Sequence, residues 1–309
     1  MNALRDKISA EIAKVSVGQQ PVLDQALIAL AVGGHALIEG PPGVAKTMLA
    51  TALARSLGVT FRRVQFTPDM LPSDLTGTMT VRDGSLTFRP GPVFTNVLLA
   101  DEINRTPPKT QAALLEAMQE GQVTVDGVSH PLPQPFLVLA TQNPIEFDGT
   151  YPLPEAQLDR FLIKITAGYP DHDQEVALLK MARRGLQLTA MSGVATVASA
   201  DEISRAMAEV DAVTVAPDVT EYAATIVRAT REQPGVALGA SPRAGVHLIA
   251  ASRATAAIRG RAFVTPDDIA AMVVPVIGHR IVMRPEAEIE RYTPSDVLGT
   301  ILRSVAVPR

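Results

Sequence analysis

Along the first 168 residues, short apolar runs alternate with segments of helical spacing, which predicts a sheet joined by crossover helices. Strands are expected at Ala36–Glu39, Phe61–Phe66, Val97–Asp101, Phe136–Thr141 and Phe161–Thr166. Runs such as Val97-Leu98-Leu99-Ala100 and Phe136-Leu137-Val138-Leu139-Ala140 are apolar at consecutive positions. Burial on both faces produces that pattern, so the sheet is expected to be parallel with helices on each side. One connecting helix is predicted over Lys46–Leu57, with Leu49, Leu53 and Leu57 on one stripe and Gly58 as its stop. Another is predicted over Pro108–Glu120, with Ala112, Leu115 and Met118 on one face and Gly121 as its stop.

Two stretches break the rhythm. Residues 67–95 hold an alternating segment, Met79 to Phe88, centred on Asp83-Gly84, a strong hairpin-turn signal. Residues 121–135 repeat the theme, with Gln122-Val123-Thr124-Val125 before Asp126-Gly127. Working protrusions and ordinary edge hairpins both fit these insertions. After Gly168-Tyr169-Pro170 the strand signals stop and helix starts take over. Ser199 with Glu202 reads as a capping box, and Pro217, Pro242 and Pro266 occupy first helical positions. The expected division is therefore 1–168 and 169–309, the second part helical.

Composition narrows the function classes. With 28 Lys+Arg against 32 Asp+Glu the formal net charge is −4, which argues against a protein that coats nucleic acid by bulk charge. The densest basic clusters are pairs, such as Arg62-Arg63 and Arg183-Arg184. There is no cysteine, so disulfides, zinc–thiolate sites, Fe–S clusters and thiol nucleophiles are excluded together. The longest apolar run, Ala26–Val32, is far short of the roughly 20 residues a spanning helix needs. Leu4, Ile8, Ile12 and Val15 are spaced through charged residues as in an amphipathic helix, unlike a signal peptide, and a cytoplasmic protein is expected.

The strongest chemical signal is Gly40-Pro41-Pro42-Gly43-Val44-Ala45-Lys46-Thr47, between a strand and a helix. This is a P-loop in its required context. Its backbone N–H groups and the helix N-terminus suit phosphate oxygens. Lys46 is placed to reach the β- and γ-phosphates, and the Thr47 hydroxyl to hold Mg²⁺. Ala45 stands where the general pattern has glycine. The strand Val97–Asp101 then ends in two acids, Asp101 for Mg²⁺ through its waters and Glu102 for the attacking water. The following strand ends in Thr141-Gln142-Asn143-Pro144, where the Asn143 amide can hold the attacking water or the γ-phosphate; a plain Asn-Pro turn is the alternative.

Two arginines stand out. Arg243 falls in the first turn of a helix, where its charge opposes the macrodipole; an anionic ligand or a solvated surface position would explain it. Arg160 lies just before the fifth strand, and a salt bridge to Asp159 or Glu155 competes with a functional role. Asp267-Asp268, in another first turn, reads as a dipole complement. The five histidines show no metal-ligand spacing and read as structural or surface residues, and no Gly-x-Ser-x-Gly elbow occurs.

Over essentially its whole length the chain resembles AAA+ ATPases of the MoxR family. The residues carrying the resemblance are Gly40–Thr47, Asp101-Glu102-Ile103-Asn104-Arg105, Ala140–Pro144, Tyr151–Phe161 and Ser241-Pro242-Arg243-Ala244. It implies an α/β fold: an AAA+ P-loop αβα sandwich with a five-stranded parallel sheet, followed by an all-α lid domain. It further implies assembly into a ring, usually a hexamer, with ATP between subunits. By motif match, the Gly40–Thr47 loop with Met48 is Walker A, Asp101 and Glu102 are Walker B, and Asn143 is sensor 1. Arg243 matches sensor 2 and Arg160 the arginine finger that reaches a neighbour's γ-phosphate. Val17-Gly18-Gln19 resembles the segment lining the adenine pocket, and Arg105 is a weaker interface candidate. The resemblance also implies protein clients, a partner with a von Willebrand factor A domain, and sometimes metal-cofactor insertion.

The expected activity is ATP hydrolysis in a remodelling motor with ATP and Mg²⁺ as ligands. A chelatase-type motor subunit, a nucleic-acid motor and a non-hydrolysing nucleotide-gated scaffold are the alternatives. Lys46→Ala is predicted to abolish nucleotide binding, whereas Glu102→Gln binds ATP without turning it over. Normal hydrolysis by Glu102→Gln in a phosphate-release assay would remove Glu102 from the chemistry.

Overall fold

The computed structural model describes residues 1–41, 43–44, 46–82, 84–143, 149–181 and 193–308. Pro42, Ala45, Asp83, Pro144 and the Arg183-Arg184 pair, all named above, lie outside the described residues. Two helices, α1 (Asn2–Ile12) and α2 (Gln20–Ala31), precede strand β1 (Ala36–Glu39), helix α3 (Lys46–Ser56) and strand β2 (Phe61–Gln65). A short α4 (Pro72–Thr76) leads into hairpin β3–β4 (Gly77–Arg82, Ser85–Pro90), then β5 (Val97–Asp101) and α5 (Pro108–Glu120). Hairpin β6–β7 (Gln122–Val125, Val128–Pro131) precedes β8 (Leu137–Gln142), α6 (Glu155–Leu158) and β9 (Ile163–Thr166). The remainder is mainly helical: α7 (His172–Met181), α8 (Ala200–Asp211), α9 (Pro217–Ala229), α10 (Pro242–Ile258), α11 (Pro266–Ile277), α12 (Pro285–Ile289) and α13 (Pro294–Ser304). It also contains an antiparallel pair, β10 (Val236–Leu238) and β11 (Val282–Met283), too short to leave a periodic signal in the sequence.

The central sheet has five strands in the order β2-β5-β8-β1-β9, and every neighbouring pair is parallel. The consecutive apolar runs resolve into two faces. Ala36, Ile38, Val97, Leu99, Leu137 and Leu139 belong to one buried cluster, while Leu37, Leu98, Ala100, Val138 and Ala140 belong to another. Alternate side chains of a strand point to opposite faces, so a strand covered on both sides must be apolar throughout. The first cluster continues through α1, α2 and α3 into α8–α11 and α13; the second takes in α4, α5 and Phe161. The C-terminal helices therefore pack on the α1–α3 side of the sheet, and α11 also touches β9. Among the described residues no helix is long and apolar enough to cross a membrane.

Most local expectations hold, with two corrections. Gly58 and Gly121 adopt positive φ at the ends of α3 and α5. Ser199 caps α8 in a capping box with Glu202, and Pro217, Pro242 and Pro266 open their helices. On α5, however, Ala112 is exposed and Gln111 is buried in its stead. The Gln111 amide donates to the carbonyls of Thr106 (3.1 Å) and Tyr151 (2.9 Å), which makes a polar side chain tolerable there. Asp268 does more than complement a helix dipole. It is fully buried, accepts from Arg259 (2.8 Å) and Arg261 (2.5 and 2.6 Å), and closes a capping box with Thr265.

Burial opposes the Asp268 charge, but the bonds from Arg261 and Thr265 outweigh it and hold the carboxyl below its ordinary range. A carboxyl depressed in the folded state stabilises the fold above its unfolded pKa and loses that contribution as pH falls through the folded value. Asp268→Asn is expected to lower stability at neutral pH by about 2 kcal/mol, read from the urea midpoint. Its stability should also fall less than the wild type's as pH drops below about 4. Equal acid sensitivity of the two proteins would contradict this.

Candidate active site

Strand β1 delivers the phosphate loop. A Cβ at Gly40 would collide with the Ala167 carbonyl oxygen, so only glycine lets the chain leave β1 beside the end of β9. Gly43 has φ +85° with open space around it, a left-handed turn that glycine adopts at no steric cost. Pro41 is half-buried and Val44 buried beneath the loop. Lys46 opens α3 and its ammonium donates to the Gly40 carbonyl at 2.8 Å, folding the side chain back over the loop. Thr47 follows in the first turn, and Met48 packs against the core. The N–H groups and dipole at a helix N-terminus favour anions.

The other strand tips meet this loop along the same edge of the sheet. Asp101, buried at the end of β5, accepts from the Thr141 hydroxyl at 2.6 Å and from Arg63 at 2.7 and 3.1 Å. Glu102 follows in a left-handed conformation, φ 58°, with its backbone N–H donating to the Thr141 hydroxyl at 3.0 Å. Its carboxylate is held by the Gln65 amide at 2.5 Å and by Arg105 at 3.0 Å. Asn143 is buried just beyond β8, the strand between β5 and β1. Its neighbour Gln142 donates to Glu39 at 2.7 Å, and Lys164 pairs with the other Glu39 oxygen at 2.5 Å. The order β5-β8-β1 thus seats Asn143 between the two acids and the phosphate loop.

Val17, Gly18 and Gln19 line a cavity of about 210 Å³ between α1 and α2, together with Ile12, Ser16 and Leu23. Gly18 has φ +76°, and a Cβ there would strike Gln174 of α7, so this segment touches the start of the C-terminal helices.

Arg160 and Arg243 are brought together, but elsewhere. Both line a cavity of about 330 Å³ with Gly34, His35, Leu162 and His247. His35 and Leu162 precede β1 and β9, so this cavity opens at the edge where those strands begin, whereas Lys46 stands where β1 ends. In the parallel β1–β9 pair Ala36 lies beside Ile163, and a four-residue strand spans roughly 13 Å. Arg160 donates to the Leu115 carbonyl of α5 at 2.9 Å. The carboxylate of Asp159, weighed as a structural partner for Arg160, is taken by Arg280, at 2.6 Å. Arg243, half-exposed, lies 3.9 Å from the other oxygen of Asp159.

The histidines nearby are structural. His35 accepts from the Val138 N–H at 3.0 Å through Nδ1, so its Nε2 donates to the Met118 carbonyl at 3.0 Å. Burial pushes its pKa down to about 4 and keeps the ring neutral.

Gln65 and Arg280 were not named from the sequence, and Arg63 and Thr141 were named there without a role at the site. Arg63 and Gln65 share one face of β2, and their relevance depends on β2 lying next to β5, which strand patterns do not specify.

Residues 35–163 match the ATPase family associated with various cellular activities (AAA), and residues 228–301 match the AAA lid domain. The chain is 43% identical to Chaperone MoxR1 of Mycobacterium tuberculosis, covering 97% of this chain and 81% of that one. It is 44% identical to the uncharacterized protein YeaC of Bacillus subtilis, covering 100% and 96%. A solved structure from Cytophaga hutchinsonii superposes with a TM-score of 0.91 at 40% identity, over 99% of this chain and 96% of that one. With phosphate loop, paired acids and strand-tip amide on one sheet edge, and with these relatives, the chain belongs to the MoxR family of AAA+ ATPases and is an ATP hydrolase.

Proposed function

We propose that this ATPase works as a ring in which each active site is completed by the next copy, and that the ring remodels client proteins. The observation that carries the reading is the separation of Lys46, Asp101, Glu102 and Asn143 at one edge of the sheet from Arg160 and Arg243 at the opposite edge. Neither arginine can serve its own phosphate loop across that distance, whereas head-to-tail packing of copies would bring one edge against the other. A heterologous contact of this kind closes into a ring when its rotation permits. The likeness to a chaperone supports a protein client, and the family resemblance supports a partner with a von Willebrand factor A domain and, in some settings, metal-cofactor insertion. We also read 1–168 as the nucleotide-binding unit and 169–309 as its lid.

In this scheme the backbone N–H groups of Gly40–Thr47 and the Lys46 ammonium hold the β- and γ-phosphates, with Val17–Gln19 against the base. The Thr47 hydroxyl and the Asp101 carboxylate form a hard oxygen donor set that fits Mg²⁺, with Asp101 acting through water. When bound, Mg²⁺ would supply neutralising charge to the phosphates. Glu102 orients a water and takes its proton as the water oxygen bonds to the γ-phosphorus. The bond from that phosphorus to the bridging oxygen breaks, leaving ADP and phosphate. Asn143 steadies the γ-phosphoryl oxygens, and Arg160 and Arg243 of the neighbour meet the charge that spreads over them. Gln65 and Arg105 both hold the same oxygen, Oε2, of the Glu102 carboxylate, which fixes the direction in which that carboxylate faces a water.

Arg160→Ala and Arg243→Ala are each expected to lower kcat by roughly 10³-fold, the scale of an arginine supplied in trans. Dispersed subunits of either variant should bind a fluorescent ATP analogue with wild-type affinity. Weakened binding by dispersed Arg243→Ala subunits would place that arginine on its own phosphate loop and overturn the arrangement.

A further inference from the structure

We propose that Arg280 is the positioning residue for Arg160: its buried fork holds the turn that carries Arg160 and fastens that turn to the helices behind it. The inference rests on the reading of Arg160 as a residue acting on the neighbouring copy.

The Arg280 side chain is 2% exposed, at the end of the single turn that follows α11. Its Nε donates to the Asp159 carboxylate at 2.6 Å. Its Nη2 donates to the main-chain carbonyls of Asp159 at 3.1 Å and Phe161 at 2.5 Å. Its Nη1 donates to the Leu162 carbonyl at 3.3 Å and to the Val276 carbonyl of α11. The carbonyls of residues 159, 161 and 162 bracket residue 160, so the fork grips the backbone on both sides of the finger. His279, next to Arg280, adds a bond from Nε2 to the Phe161 carbonyl at 3.1 Å.

The same fork reaches the helix that carries Arg243. Arg280 donates to Nδ1 of His247 at 2.7 Å, and His247 lies one turn beyond Arg243 on α10. Burial, reinforced by the positive charge of Arg280, holds His247 down to about pKa 4, so the ring stays a neutral acceptor. One Asp159 oxygen faces Arg280 and the other faces Arg243. A buried ion pair is a weak source of stability, because desolvation offsets much of its attraction. What this one provides is geometry: the planar fork sets the Asp159–Leu162 turn against α10 and α11 at fixed distances. A shift of those helices therefore moves Arg160 with them, which links the position of the C-terminal helices to the aim of the finger.

Arg280→Lys keeps the charge and loses the fork. It is expected to lower kcat by roughly 10- to 100-fold, the cost of misplacing a catalytic group by about an ångström, with nucleotide affinity unchanged. Subunit mixing separates positioning from general damage. Arg160→Ala subunits mixed with Lys46→Ala subunits should regain activity, because intact phosphate loops then meet intact fingers. Arg280→Lys mixed with Lys46→Ala should regain it equally, whereas Arg280→Lys mixed with Arg160→Ala should not, since both lack a working finger. If only the Arg160→Ala mixture recovers, the lesion lies in the variant's own phosphate loop and the Arg280 inference fails while the reading of Arg160 stands. If neither mixture recovers, the reading of Arg160 fails and takes the inference with it. Wild-type kcat in Arg280→Lys would also overturn it. Should Arg280→Lys not fold, Asp159→Asn must give the same mixing pattern or the proposal falls.

Discussion

In a sheet whose five strands all run the same way, whatever follows a strand emerges at one edge and whatever precedes a strand emerges at the other. That polarity governs the rest of this molecule. The phosphate loop, Asp101-Glu102 and Asn143 each follow a strand, so they converge without any long-range contact having to select them. Arg160 precedes a strand and is sent to the far edge. Neither side-chain length nor a modest loop movement bridges roughly four strand residues of backbone. A single copy therefore presents the phosphate loop and paired acids at one edge of the sheet and Arg160 at the other, the arrangement from which the proposed assembly is argued.

Packing of the C-terminal helices reinforces this division. Their apolar faces join the core cluster formed by α1, α2 and α3, and α11 lies against β9. Arg243 is thereby held beside Arg160 and away from Lys46. The joint is polar where it meets the turn that carries Arg160: Arg280 bonds both Asp159 and His247, and His279 bonds the Phe161 carbonyl. A hydrophobic joint can slide among near-equivalent packings, whereas directional hydrogen bonds admit few arrangements. The nucleotide edge has comparable polar control, with Thr141 bridging Asp101 and the Glu102 backbone while Gln65 holds the Glu102 carboxylate.

Sequence patterns reveal one class of feature and hide another. The five strands, the glycine stops after α3 and α5 and the capped helix starts are local consequences of residue type, and each is found within a residue or two of its expected place. The phosphate loop and the two strand-end acids are legible for the same reason, since a strand, a glycine turn and a helix follow one another in the chain. Strand order is not local. Nothing in Phe61–Gln65 says that it pairs with Val97–Asp101, so the partnership of Arg63 with Asp101 and of Gln65 with Glu102 appears only in three dimensions. Arg160 shows the converse limit. An acidic neighbour suggests a local ion pair, but Arg280, more than a hundred residues downstream, takes that carboxylate and leaves Arg160 on a helix carbonyl. The burial of Gln111 and the arginine partners of Asp268 are likewise hidden, because a buried polar side chain is defined by partners that the local pattern does not show.

The central claim is that the site is completed between copies. Specific ATPase activity against protein concentration, at saturating ATP and Mg²⁺, tests it most directly. Activity per subunit should climb steeply with concentration and level off as assembly becomes complete. A flat, non-zero line down to dilutions at which light scattering finds only single chains would show that one copy hydrolyses ATP unaided, and the account would be wrong.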